Sequence, residues 1–309
     1  MEIVHATGED ELAQVFVARL EDGYHIEFVE SIQPPFSREE KWVLIVSTLR
    51  GCPVGCPICD AGGDYAGKLS RDEMMAQIDF LIRRRFPDGR VPVPKLKVQF
   101  ARMGDPALNS AVLDVLEALP GRYDLPGLLP SVSTVAPAGC DDFFERLITV
   151  KDRYYSGGRF QMQFSLHTTD GESRRRLIPC RTWSLEQIAA YGDRFYRAGE
   201  RRITLNFAPA EGMPLDPAAL LPLFSPDRFF IKLTPINPTF ASVDSRLAGL
   251  IDPEDEVSNR AIVESFEACG YDTLLSIGEL RENAIGSNCG MYVTQMEKMA
   301  DQVCAGPGQ

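Results

Sequence analysis

The chain has 309 residues, with 32 Lys and Arg against 44 Asp and Glu, a formal net charge of -12 and an isoelectric point near 4.9. That length is enough for one large domain with a full core. The acidic balance argues against a broad phosphate-binding surface, which draws its affinity from clustered Lys and Arg. No apolar stretch approaches the ~20 residues of a membrane helix, and the N-terminus lacks a basic then apolar leader, so the expectation is a cytoplasmic protein with no membrane partner.

The first elements are two alternating runs over 15–20 and 24–30 that flank Glu21-Asp22-Gly23, an Asp-Gly signal for a β-hairpin. A short apolar run over 42–47 then reads as a buried strand. Further on, strands are predicted over 95–101, 129–135, 161–166, 202–207 and 229–233. Helices fall between them over 72–85, opened by Ser70 as N-cap, and over 110–119, 141–150, 184–198, 217–224 and 254–269. Strands alternating with helices specify an α/β fold with a parallel sheet, and six βα units make an open, partial (β/α)6 barrel. The expected organisation is an N-terminal hairpin extension over 1–40, the barrel over 41–270 and a C-terminal extension over 271–309, together one structural domain. Three basic runs, at 83–85, 174–176 and 201–202, lack interleaved aromatics and read as solvated faces.

The chemistry concentrates in the loop after the first barrel strand, where Cys52, Cys56 and Cys59 stand in C-x3-C-x2-C spacing. Three thiolates in a local cradle can hold a four-iron cluster with one iron left open to another ligand. Zinc takes paired C-x2-C knuckles with a fourth Cys or His, and no His stands near this run. Cys140, Cys180, Cys269, Cys289 and Cys304 are scattered, which suits a reducing compartment better than a disulfide framework. A Gly104-Asp105-Pro106 turn follows the second barrel strand, and Ser133, Ser165, His167 and Asn237 fall in or beyond the C-terminal parts of strands, where parallel α/β folds collect their functional groups.

The cysteine spacing is that of radical S-adenosylmethionine (radical SAM) enzymes, and several motifs in order resemble one family among them, the RlmN and Cfr methyl synthases that methylate ring carbons of adenine in RNA. The run 19–23 (RLEDG) looks like the family's hairpin and the cysteine loop like its cluster loop. The run 103–109 (MGDPALN) resembles its MGEPLLN motif, and Ser133 lies in a similar strand-three segment. Ser165-Leu166-His167-Thr168 with the downstream Ile178-Pro179 resembles its SLHA and VP pairing, Asn237 its WNP turn, and Asn288-Cys289-Gly290 its C-terminal ACG.

The resemblance implies a 4Fe-4S cluster on Cys52, Cys56 and Cys59, with S-adenosyl-L-methionine bound by Gly104, Asp105, Ser133, Ser165, Leu166, His167 and Asn237. It implies that Cys289 accepts a methyl group and becomes S-methylcysteine, that a 5'-deoxyadenosyl radical then removes a hydrogen from this methyl, and that the resulting radical adds to an sp2 carbon. It also implies a proton acceptor on the hairpin, here Glu27, although strand alternation by itself would place Glu27 on the solvent face. A flavodoxin or ferredoxin would supply electrons.

Two departures bear on the substrate. The family carries a helical RNA-binding domain ahead of this region, which about fifty residues cannot contain, and its cysteine seven positions before the first cluster ligand is Ile45 here. Cys180 and Cys269 are candidate replacement thiols. The expectation is therefore a substrate other than ribosomal RNA: a small molecule, a nucleotide or a peptide. Two other readings stand beside it, a radical SAM enzyme that abstracts hydrogen directly without a methyl shuttle, and a non-catalytic iron-sulfur or zinc regulatory protein.

Overall fold

The computed structural model describes residues 1–278, 281–285, 287 and 292–296. Strands β1 (Glu2–Glu9), β2 (Ala13–Arg19) and β3 (His25–Ile32) form an antiparallel meander, and β3 pairs antiparallel with β4 (Trp42–Val46). The hairpin therefore continues the barrel sheet instead of packing ahead of it. Glu30 fixes the junction by accepting from Trp42 Nε1 (3.0 Å) and from Arg84 and Arg85 (both 2.6 Å). Strand β1, which sequence reading missed, is an exposed edge whose residues show no buried face.

After β4 comes an unpredicted antiparallel ribbon of β5 (Leu49–Cys52) and β6 (Gly63–Lys68), which brackets the cysteine loop. Its Gly-rich, exposed second strand carries no apolar period, so only pairing reveals it. Then follow α1 (Arg71–Arg85), β7 (Leu96–Phe100), a 3-10 turn Pro106–Leu108, α2 (Ala111–Arg122), β8 (Leu128–Thr134), α3 (Asp141–Tyr154) and β9 (Gln161–Ser165). The chain continues with α4 (Gly171–Leu177), α5 (Leu185–Phe195), β10 (Ile203–Phe207), a 3-10 turn Pro217–Leu220, β11 (Phe229–Leu233), α6 (Phe240–Asp244), α7 (Glu256–Ala268), β12 (Thr273–Leu275) and α8 (Arg281–Ile285). Strands β4, β7, β8, β9, β10, β11 and β12 are parallel in that order, so the six predicted barrel strands are present and the short β12 extends the open sheet by one more.

Helix starts follow the expected chemistry. Ser70 accepts from the Glu73 N–H (3.2 Å) while the Glu73 carboxylate accepts from the Ser70 N–H (2.7 Å), and Ser184 with Gln187 repeats the arrangement at α5.

The two faces of the parallel strands have opposite character. Leu96, Val98 and Phe100 of β7, Met162 and Phe164 of β9, Ile203, Leu205 and Phe207 of β10 and Phe229, Ile231 and Leu233 of β11 all belong to the hydrophobic core shared with the helices. The alternate positions face the barrel interior and are polar: Lys97 and Gln99, Ser133, Gln161, Gln163 and Ser165, Thr204 and Asn206, Lys232 and Thr234 line its cavities. A closed barrel fills that space with branched apolar side chains. Here it is left as a polar lumen.

Asn109 closes the frame around the cysteine loop. Fully buried, its amide donates to the carbonyls of Thr48 and Leu69 (both 2.8 Å), which lie on either side of the ribbon. Removing it leaves the Leu69 carbonyl without its donor, while the Thr48 carbonyl keeps the Leu69 N–H at 3.1 Å, so Asn109→Ala is expected to cost about 1–3 kcal/mol, read as a lower urea midpoint at unchanged m-value.

Candidate active site

The cysteine loop leaves the C-terminal end of β4 and is shaped by close backbone approach. Gly51 has φ 68° and a Cβ there would lie 2.6 Å from the Gly63 carbonyl oxygen; a Cβ on Gly104, at φ 91°, would lie 2.4 Å from Leu49 Cβ. The far side of the loop docks on α6, because the Asp60 carboxylate accepts from the N–H groups of Phe240 (3.0 Å) and Ala241 (2.7 Å) and Thr239 Oγ1 donates to Ile58 O (3.2 Å). Asp60 and Thr239 escaped sequence reading since their partners are some 180 positions away.

One cavity of about 340 Å³ is lined by Cys52, Cys56, Cys59, Gly104, Asp105, Ser133, Ser165, His167 and Asn237. These are the predicted site residues apart from Leu166, Glu27 and Cys289. The Leu166 side chain is fully buried in the hydrophobic core, since strand alternation turns it away from the face that Ser165 and His167 occupy. Cys289 lies outside the described residues. Burial pushes the Cys52 thiol up to about 11 and the Cys56 thiol up to about 12, so a metal cluster would have to displace their protons on binding.

Asp105 does not offer a free carboxylate. It accepts from Thr134 Oγ1 (2.7 Å), the Val135 N–H (2.7 Å) and the Ala107 N–H (2.9 Å), joining the end of β8 to the turn after β7. Burial raises it to about 6 despite those donors. Gly104 lines the cavity, and its carbonyl accepts from Thr48 Oγ1 at 3.1 Å. Ser133 Oγ and Asn206 Oδ1 are buried and have no hydrogen-bond partner among the described residues. Two unmatched polar atoms on the wall of a cavity that also carries three thiols fit a polar ligand lying beside a metal cluster.

His167 adopts a left-handed backbone, φ 67°, and its Nδ1 accepts from the Ala208 N–H at 3.1 Å, so the neutral ring keeps its proton on Nε2. Burial, aided by the nearby Arg174 charge, lowers it to about 4. The unfolded chain takes up this proton near 6.5 and the native protein only near 4, so stability is lost as pH falls through that window. The loss is expected to reach about 3 kcal/mol by pH 4, and denaturant melts of His167→Gln should lack that component.

Arg174 corrects the reading of the 174–176 run as a solvated face. It is buried, and its guanidinium donates to Thr182 Oγ1 (2.8 Å) and to the carbonyls of Trp183 (3.0 Å), Val135 (2.7 Å) and Ser165 (3.1 Å). Its charge therefore sits behind the cavity wall formed by Val135 and Ser165. Sequence offers no signal that singles it out from Arg175 and Arg176. Nor is the 83–85 run simply solvated, since Arg84 and Arg85 hold Glu30.

Glu27 is fully buried, which corrects the alternation-based placement on the solvent face; β3 is covered on both sides. Its carboxylate pairs with Arg102 Nη2 (2.6 Å) and accepts from the N–H groups of Tyr292 and Val293 (both 3.1 Å). Arg102 also donates to the Ser287 carbonyl and lines the cavity, whereas Glu27 is not among the lining residues. Breaking a buried pair leaves a charge uncompensated, so Glu27→Gln is expected to cost about 3 kcal/mol, measured by urea unfolding of the metal-free protein.

No family model matches the chain. Among curated proteins, the probable dual-specificity RNA methyltransferase RlmN of Desulfitobacterium hafniense (strain DSM 10664 / DCB-2) is 30% identical over 292 residues, covering 91% of this chain and 76% of the relative. The dual-specificity RNA methyltransferase RlmN of Wolinella succinogenes is 27% identical over 262 residues, covering 81% and 70%. Among solved structures, a radical SAM methyltransferase from Sphaerobacter thermophilus superposes with a TM-score of 0.71 at 24% identity, over 94% of this chain and 80% of that one. The open parallel barrel with its cysteine loop at the strand ends is thus the radical SAM fold. The chain belongs to the RlmN and Cfr family of radical SAM methyltransferases. It is an enzyme, and no helix among the described residues is long and apolar enough to cross a membrane.

Proposed function

We propose that this enzyme moves a methyl group from S-adenosyl-L-methionine to an sp2 carbon by way of a methylated Cys289. The observation that carries the proposal is the single cavity that brings Cys52, Cys56 and Cys59 together with Ser133, Ser165, His167 and Asn237. Bound there, a 4Fe-4S cluster with S-adenosyl-L-methionine supplies the one-electron chemistry that generates a 5'-deoxyadenosyl radical.

The chain's own residues position, bind and move protons. Ser133 Oγ and Asn206 Oδ1 would offer the cofactor acceptors and the His167 Nε2 proton a donor, and the Gly104 carbonyl would be a further acceptor for its ammonium. The Cys289 thiolate takes the methyl group by nucleophilic displacement. The described residues on either side of Cys289 in the sequence support the reading: Ser287 before it and Tyr292 and Val293 after it are tied to Arg102 and Glu27, and Arg102 lines the cavity. Glu27, held as it is, positions that segment, and it takes a proton from substrate only when Arg102 releases it. Electrons come from a flavodoxin or ferredoxin.

The relatives are named RNA methyltransferases, so RNA is the first acceptor to test. The expectation of an acceptor other than ribosomal RNA gains nothing from those names and stands on the net charge of -12.

After anaerobic reconstitution and incubation with S-adenosyl-L-methionine and reductant, mass spectrometry is expected to find 5'-deoxyadenosine and a methylated Cys289 peptide, with methyl transfer lost in Cys289→Ala. An unmodified Cys289 in protein that still cleaves the cofactor would favour direct hydrogen abstraction. An intact reduced cluster that forms no 5'-deoxyadenosine would favour a regulatory role. Supplying RNA fragments, mononucleotides and peptides in parallel identifies the acceptor.

A further inference from the structure

A second cavity of about 340 Å³ lies one residue layer below the first, toward the N-terminal ends of the strands. Six of the residues around it are Lys41, Lys95, Lys97, Arg201, Arg202 and Lys232, and none is Asp or Glu. In a chain of net charge -12 this is a local reversal of sign. The polar alternation of the strands creates it: Lys97 and Lys232 stand two positions before Gln99 and Thr234 on the inward rows of β7 and β11.

These cations are not neutralised from within. Among the described residues the side chains of Lys95, Lys97 and Lys232 make no ion pair and no hydrogen bond, and Lys41 donates to the neutral amide of Gln33. Among the described residues Arg202 alone of the six has a carboxylate partner, Asp272, which stands outside the lining. Like charges sharing a partly desolvated cavity repel. Burial, reinforced by Lys232, Lys41, Lys95 and Arg201, brings Lys97 down to about 7, and burial with Lys95, Lys232 and Arg201 brings Lys41 down to about 8. An anion in the cavity would reverse both effects.

We propose that this basic cavity is a binding site for a compact polyphosphate anion, separate from the cluster cavity above it. A phosphoryl group fits better than a planar carboxylate because the inward-facing cations are lysines, which act as rotatable point charges and lack the bidentate fork of arginine. The surrounding Gln33, Gln161, Thr204 and Ser276 supply neutral hydrogen-bonding groups for the remaining oxygens.

The test is isothermal titration of the full chain with sodium tripolyphosphate at fixed ionic strength, paired with thermal melts. The expected result is one saturable site per chain and a stabilisation larger at pH 6.5 than at pH 9.5, since protonated lysines are what the anion binds. Lys97→Gln with Lys232→Gln should weaken binding at least tenfold, whereas Arg260→Gln, on the exposed face of α7, should leave it unchanged. Circular dichroism of the double variant confirms that it folds. Absence of saturable heat with the unaltered protein, equal affinity in the double variant, or tighter binding of citrate than of tripolyphosphate would each overturn the assignment.

Discussion

The constraint on which this structure depends is the division of labour between the two faces of the parallel strands. Every second residue of β7, β9, β10 and β11 is a large apolar side chain that packs outward against helices, and those contacts supply the burial that holds the sheet. The inward positions are thereby released from any packing duty. Lysines, amides and hydroxyls can occupy them, and the barrel interior becomes two polar cavities in place of a second core. Function is accommodated where stability does not require apolar volume.

The site at the upper end is assembled by long-range ties. Asn109 holds both flanks of the ribbon, Asp60 holds the cysteine loop to α6, Asp105 holds the end of β8, and Arg174 braces the wall from behind. These polar groups are buried and have partners, so the loop bearing Cys52, Cys56 and Cys59 is fixed by them. The groups left unmatched, Ser133 Oγ and Asn206 Oδ1, are on the cavity wall. Two unmatched acceptors on one cavity wall are suited to a polar ligand.

Glu27 shows how a tertiary contact changes the meaning of a residue. On sequence it is a carboxylate on a half-buried strand. In the fold it is sealed beneath the C-terminal segment and paired with Arg102, so its charge is stabilised by position and its access to substrate depends on a partner. Family membership carries methyl transfer to this chain, and it is the Arg102 and Glu27 pair that ties the N-terminal strands to Ser287, Tyr292 and Val293.

By itself the sequence determined the six barrel strands, the capping of α1 and the three-cysteine loop. Each rests on local information: a period of two, a Ser with Glu three positions later, and a fixed spacing of cysteines within one loop. It also placed Ser133, Ser165, His167 and Asn237 at one mouth, because parallel strands all end on the same side. Only the tertiary structure decided which face each alternate residue takes, and so revealed that Leu166 belongs to the core, that Arg174 alone of its run is buried, and that Lys41, Lys95, Lys97, Arg201, Arg202 and Lys232 gather around one cavity. The physical reason is that burial and electrostatic environment are set by neighbours distant along the chain, and those neighbours come together only once the open sheet has formed.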